Sequence, residues 1–386
     1  MQPVLCIATG RSCVRLLPLG QAGSEGGLWS APWRGVEMLD GGRIHRVGVR
    51  SGARATIFAA SWGEGLWFSR DGGRRWSNAG VDIQGSRVHC AAATSSGEFF
   101  VGSDHAILKR SGGDLRRWEL LDNLWLVPSS SSWSSQNSTA VRDIAVNPRH
   151  EEWLLTALDG VGVLFSSDGG FSWDDARPNT DPQTLRLLWH PDEPTHALAL
   201  APNSLRQSDD GGWSWSSTDF PLTELKAVAA LPEGQWLVAG QSGERSELWR
   251  GEGTEWLLAG RFPSRAPKQA QDSARASGQG AFVESVLVVS EEESAGAGAA
   301  WLAGWSDGAL EVSLDSGRSW RPLLMDGAQP ERACDMALSM AQEEEEDEGE
   351  EQAQKIEAAR DARNGSRFNL DEKFQSSLLD KNRGRV

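Results

Sequence analysis

Ser69-Arg70-Asp71-Gly72-Gly73-Arg74-Arg75-Trp76 decides the fold, because it returns three more times. It recurs as Ser166-Ser167-Asp168-Gly169-Gly170-Phe171-Ser172-Trp173, then as Ser208-Asp209-Asp210-Gly211-Gly212-Trp213-Ser214-Trp215. The fourth copy is Ser313-Leu314-Asp315-Ser316-Gly317-Arg318-Ser319-Trp320. The shared pattern is S-x-D-x-G-x-x-W. Decayed copies end at Trp118, with Ser111 retained, and at Trp256, with Gly253 retained; Trp33 ends a seventh. From Trp33 the steps between these tryptophans are 43, 42, 55, 42, 41 and 64 residues. A period near 42, with insertions in the two long steps, is the length of one four-stranded propeller blade.

The segments before each Trp fit that period. Innermost strands are expected at Arg43–Arg50, Arg87–Thr94, Val141–Asn147, Leu185–His190, Leu225–Leu231, Val283–Val289 and Ala333–Met340. Second strands are expected at Val4–Thr9, Thr56–Ser61, Glu98–Gly102, Trp153–Ala157, Thr195–Leu200, Gln235–Ala239 and Ala300–Gly304. A third strand runs into each repeat, as in Gly65-Leu66-Trp67-Phe68. All are short apolar runs bounded by Gly, Ser or Asp turns. Seven sets predict an all-β, seven-bladed propeller over residues 1–341. Val4–Thr9 has no innermost strand before it and Ala333–Met340 has no blade after it, so the C-terminal strand is expected to complete the first blade and remove an exposed edge.

Composition narrows the function. Of 386 residues, 39% are hydrophobic, enough for a sizeable core. The net charge of -16 argues against nucleic-acid binding, which calls for a basic surface. No apolar run approaches the length of a membrane span, and the first residues lack the basic region of a secretory signal. Cys6, Cys13, Cys90 and Cys334 are scattered, which reads as reduced, buried thiols in the cytoplasm or another reducing compartment. No metal or cofactor motif is present: there is no GxSxG, no GxxxxGK[ST] and no HExxH, and the histidines show no ligand spacing.

The repeat resembles the Asp-box, or BNR repeat, of sialidases, certain polysaccharide hydrolases, sortilin-type receptors and the photosystem II assembly and stability factor family. The resemblance covers residues 1–341, and seven blades with no appended domain look most like the assembly-factor group. In such a repeat Ser69, Asp71, Gly73 and Trp76 have structural work: the aspartate accepts backbone N–H bonds within its turn, the glycine permits a left-handed backbone, and the Trp packs between blades. The same holds for Ser166, Asp168, Gly170 and Trp173, for Ser208, Asp210, Gly212 and Trp215, and for Ser313, Asp315, Gly317 and Trp320. Each turn offers too few carboxylates to hold calcium. Retaining sialidases attack with a tyrosine, and this chain has no Tyr. A two-carboxylate hydrolase would draw on Asp143, Asp335 and Glu284, the acids near the starts of innermost strands.

Aligning the innermost strands gives the column His45, His89, Arg142, Arg186, Lys226, Glu284, Cys334. His45, His89, Arg142, Arg186 and Lys226 read as a basic crescent around one mouth of the channel, fit to grip an anionic peptide or protein. A basic patch on one propeller face is also what the assembly-factor resemblance implies. Inserts at 119–139, with Trp125 and Trp133, and at 261–281 would open on the same face.

The tail at 342–386 carries eight acids in the nine positions 343–351 and should stay extended. A short helix over 370–380 would align Leu370, Phe374 and Leu378 for partner docking. The expectation is a monomeric, non-enzymatic scaffold that binds a protein or peptide, an assembly factor being its specific form. The alternative is a carbohydrate-active enzyme or glycan-binding propeller.

Overall fold

The computed structural model describes residues 2–19, 28–50, 55–79, 87–104, 106–111, 118–121, 123–124, 127, 140–177, 180–222, 224–263, 281–290 and 299–341. The acidic tail, its Leu370, Phe374 and Leu378, and the insert residues Trp125 and Trp133 lie outside them.

Seven antiparallel sheets follow one another along the chain. Blade 2 is built from Ile44–Arg50, Thr56–Ser61, Gly65–Ser69 and Ser77–Asn78. Blade 3 has Val88–Ala93, Phe99–Ser103, Ile107–Arg110 and Glu119–Leu121. Blade 4 has Val141–Val146, Leu154–Leu158, Gly162–Ser166 and Asp174–Asp175. Blade 5 has Arg186–Trp189, Ala197–Ala201, Ser204–Ser208 and Ser216–Ser217. Blade 6 has Glu224–Ala230, Trp236–Ser242, Arg245–Glu252 and Glu255–Phe262. Blade 7 has Val283–Val289, Ala300–Trp305, Leu310–Ser313 and Arg321–Pro322.

Blade 1 closes the ring. Its second, third and fourth strands are Gln2–Ala8, Cys13–Pro18 and Trp33–Met38, and its inner strand is Asp335–Ala341. That strand pairs antiparallel with Gln2–Ala8 from Gln2↔Ala341 to Ala8↔Asp335, so the closure expected from the two ends is found. Met325–Gly327 adds a fifth strand, parallel to Trp33–Met38 on its outer edge, which the repeat pattern did not anticipate. Two expected insert boundaries shift: Glu119–Leu121 is the outer strand of blade 3, and Arg261 and Phe262 end the outer strand of blade 6.

The core lies between blades. Seven apolar clusters appear among the described residues, one at each junction around the ring. The tryptophans that end the repeats sit one to a junction. Trp173 packs with Phe100 and Ile107 of blade 3 and Leu154 and Leu164 of blade 4. Trp215 packs with Leu155 and Phe165 of blade 4 and Leu187 and Ala199 of blade 5.

The four S-x-D-x-G-x-x-W turns share one hydrogen-bond pattern. The Ser hydroxyl donates to the Asp carboxylate and accepts the N–H of the Gly four residues on, at 2.8–2.9 Å in each copy. The Asp also accepts backbone N–H bonds from Arg74 and Arg75, or from Ser172, Ser214 and Ser319. In the fourth turn these bonds, led by the Ser319 hydroxyl, hold the Asp315 carboxyl down at about 2. The Trp indole N–H donates to the Gly carbonyl at 2.9–3.2 Å. The decayed copy at Trp256 keeps that bond, to Gly253, while Trp118 donates to Ala79 instead. Trp33 departs from the pattern: it opens the outer strand of blade 1, fully buried and stacked on Trp29 at 5.2 Å, without this turn.

In three turns a glycine (Gly72, Gly169, Gly211) occupies the left-handed position after the Asp, whereas the fourth places Ser316 there at φ 56°. A side chain in that conformation costs roughly 1–2 kcal/mol. Ser316→Gly is therefore expected to stabilise the chain by up to about 1 kcal/mol, after the entropy of the new glycine is deducted. An unchanged or lowered urea midpoint would contradict it.

Candidate functional site at the channel mouth

The innermost strands neighbour one another around the ring, and their starts encircle one mouth. At that end the register slips in five blades. His45, His89, Arg142, Lys226 and Glu284 are each an extra residue between two paired ones. Such a bulge turns its side chain out of the pleat and toward the rim.

Blades 1 and 5 show where the equivalent residues lie. The N–H of Cys334 donates to Ala8 O while Asp335 pairs with Ala8, and the N–H of Leu185 donates to Leu200 O while Arg186 pairs with Leu200. The rim set is therefore His45, His89, Arg142, Leu185, Lys226, Glu284 and Cys334. Arg186 belongs one position deeper, with Arg46, Cys90, Asp143, Ala227, Ser285 and Asp335. In blade 5 the aligned column was off by one residue, because a period-2 pattern does not fix the residue at which the pairing begins.

The deeper layer bridges the channel by charge. Arg46 of blade 2 reaches Asp143 of blade 4 at 3.7 Å and the Leu185 carbonyl at 3.4 Å. Arg186 of blade 5 reaches Asp335 of blade 1 at 3.5 Å. Each acid also fastens the next blade: Asp143 accepts the N–H of Leu187 at 2.9 Å, and Asp335 that of Val47 at 3.2 Å. Burial dominates their ionisation. Desolvation raises Asp143 to about 6 against the pull of Arg46, and raises Asp335 in the same direction. The third catalytic candidate, Glu284, is held by both arms of the Arg332 guanidinium. All three acids are thus engaged by protein groups.

The rim is not the open basic crescent the sequence implied. Burial depresses His45 to about 4, so it is neutral at physiological pH, and its Nε2 lies 2.9 Å from the His89 carbonyl. His89 meets Asp104 at 2.7 Å and Arg142 meets Asp159 at 2.5 Å. Lys226 pairs with Glu224 and lies 4.7 Å from the centre of the Phe282 ring. Each firm cation therefore has an acid beside it.

Two apolar groups at this mouth escaped the sequence reading. Trp62, at the turn after Thr56–Ser61, is 50% exposed and stacks on the His45 ring at 4.7 Å. Leu185 is 41% exposed. The signal for Trp62 was present in Ser61-Trp62-Gly63, a large aromatic inside a glycine turn on the mouth side. Among the described residues no group of three or more His, Cys, Asp or Glu could hold a metal ion, and no helix is long and apolar enough to cross a membrane.

No protein-family model matches the chain, and no curated protein matches its sequence. Solved structures do match it in shape. A GH74 xyloglucanase from Xanthomonas campestris aligns with a TM-score of 0.51 at 17% identity, over 72% of this chain and 45% of that one. An ancestral GH74 enzyme aligns at 0.50 and 15%, over 72% and 38%. YCF48 bound to D1 peptide aligns at 0.49 and 14%, over 72% and 81%. The chain spans less than half the length of the two GH74 proteins. At such identities the likeness to the two GH74 proteins is one of fold, in keeping with the seven sheets of this chain, and carries no activity with it.

Proposed function

We propose that this propeller is a non-enzymatic scaffold that binds a protein or peptide across the rim of its channel mouth. The observation that carries the reading is Trp62, half exposed and held flat against His45. A rigid, partly exposed Trp is the side chain most enriched where binding energy concentrates. Leu185 extends the apolar contact, and Arg142 and Lys226 stand on the same rim. Their ion pairs are partly solvent-exposed, worth about 0–1 kcal/mol each, so a partner's carboxylates can displace Asp159 and Glu224 at little cost. The ligand chemistry is an acidic segment carrying an apolar side chain. An assembly role of the kind the repeat resemblance implies is the specific form of this reading. The hydrolase alternative is weakened because Asp143 and Asp335 are committed to bonds between blades, and Glu284 to the Arg332 guanidinium.

The test is capture of partners by the intact chain beside a Trp62→Ser, Arg142→Glu, Lys226→Glu variant with an unchanged urea midpoint. A partner whose affinity drops roughly 100-fold in the variant supports the rim as the binding face. Equal capture by both forms refutes it. Arg186 stays unaltered in this variant, since its pairing with Asp335 ties two blades together.

A further inference from the structure

A second site lies in the outer part of the junction between blades 5 and 6, built from residues the channel mouth does not use. Asp219, Phe220 and Pro221 lie in the connection that leaves blade 5. Trp249 sits on the third strand of blade 6, Trp256 on its outer strand, and Thr254 in the turn between them. Together they line an open cleft of about 360 Å³. The three aromatic rings pack against the apolar core of this junction and are only partly buried. The Phe220 and Trp256 rings meet edge to face, 4.7 Å apart and at 89°, so they form a corner of aromatic walls rather than one flat platform. Both indole N–H groups are used inside the protein: Trp249 donates to Glu247 Oε2 at 3.1 Å, and Trp256 to the Gly253 carbonyl at 3.0 Å. What remains for a ligand is ring surface, the Thr254 hydroxyl and the Asp219 carboxylate. The described lining holds that one carboxylate and no Lys, Arg or His.

We propose that this cleft binds an alkylated ammonium group, the chemistry shared by a free quaternary ammonium compound and a trimethylated lysine side chain. The face of an aromatic ring is its negative side and attracts a cation, Trp most strongly. An ammonium whose protons are replaced by methyl groups asks for no hydrogen-bond acceptors, so a corner of rings suits it better than it suits an unmethylated one. Asp219 supplies the opposite charge at the lip, and the net charge of -16 draws cations toward the surface. An anion is poorly served here, because the indole donors are occupied and the described lining carries no basic side chain. The volume is at the lower end of ligand-pocket sizes, which fits a headgroup and its linker.

Calorimetric titration of the full chain with choline, and separately with the amide of N-acetyl trimethyl-lysine, tests the proposal. Saturable binding is expected, and the tighter probe identifies the source, a free small cation or a modified side chain. The uncharged analogue of choline, with a tert-butyl group in place of trimethylammonium, should bind roughly tenfold more weakly. Asp219→Asn, at an exposed position, should weaken cation binding about threefold. Trp249→Leu, which keeps an apolar side chain and removes the ring, should weaken it roughly tenfold. Trp213→Ser, which removes an exposed indole stacked near Phe165 outside this cleft, should leave it unchanged. Absence of saturable binding of both cations by the folded chain overturns the site. So does equal binding of choline and its uncharged analogue, a comparison made on the native chain and independent of whether any variant folds. Binding that survives intact in a folded Trp249→Leu variant overturns it as well.

Discussion

Trp173→Ala should lower the free energy of unfolding by about 3–5 kcal/mol. The indole is 4% exposed and fills the junction between blades 3 and 4, touching apolar side chains from both. Truncation removes that buried surface and opens a cavity the two sheets cannot fill, because each is held by its own ladder of backbone bonds. It also deletes the indole bond to the Gly170 carbonyl. Gly170 cannot compensate: a Cβ there would lie 2.7 Å from Leu121, and its φ of 89° is strained for any other residue. Urea denaturation reads the effect as a shifted midpoint. A loss below about 1 kcal/mol would mean that the blades do not depend on these wedges. Trp62→Ser, at a half-exposed position, should cost far less in the same measurement.

The second large effect depends on pH. Asp143 titrates at about 6 in the folded chain against 3.8 as its ordinary value. The folded state therefore holds a proton that the unfolded state has released, so the group favours folding in acid. Its contribution is complete below about pH 4 and is lost as pH rises through 6, about 3 kcal/mol for a shift of this size. Asp335, also raised by burial, acts with the same sign. The repeat aspartates Asp168, Asp210 and Asp315 run the opposite way, and Asp315, held at about 2, favours folding above the ordinary aspartate range. The comparison must therefore be a difference. Unfolding free energies of the native chain and of Asp143→Asn, measured from pH 4 to 8, should diverge by about 3 kcal/mol, the variant showing the flatter profile. Parallel profiles would show that Asp143 is not buried in its charged form.

Much of the architecture could be read directly because the repeat is periodic. The blade number followed from the Trp spacing, and the swap of the last strand into blade 1 followed from the unmatched segments at the two ends. What stayed hidden were features that period and composition do not encode. The pairing of Arg186 with Leu200 puts Leu185, not Arg186, on the rim, and the alternation of Thr184-Leu185-Arg186-Leu187 does not say at which residue the pairing begins. Arg46 was passed over because it neighbours the residue that had been aligned, and only the slipped register turns it across the channel to Asp143. The crescent looked basic because Asp104, Asp159 and Glu224, its partners, lie outside the aligned column, and an ion pair made by folding has no sequence spacing. His45 looked cationic for a related reason: its neutrality comes from burial beside Trp62, a tertiary fact.

The pairing of Asp335–Ala341 with Gln2–Ala8 joins segments more than 320 residues apart in the chain. The other six blades are each assembled from neighbouring stretches and can form as their residues leave the ribosome. Blade 1 cannot. Until residue 341 has been made, the strand Gln2–Ala8 presents an unpaired edge, and the junction between blades 7 and 1 lacks Ala333 and Met336. Contacts this distant in sequence are the slowest to form. The nascent propeller therefore spends most of its synthesis as an open arc with one sticky edge, and the step that ends its exposure to misassembly is the arrival of a single seven-residue strand.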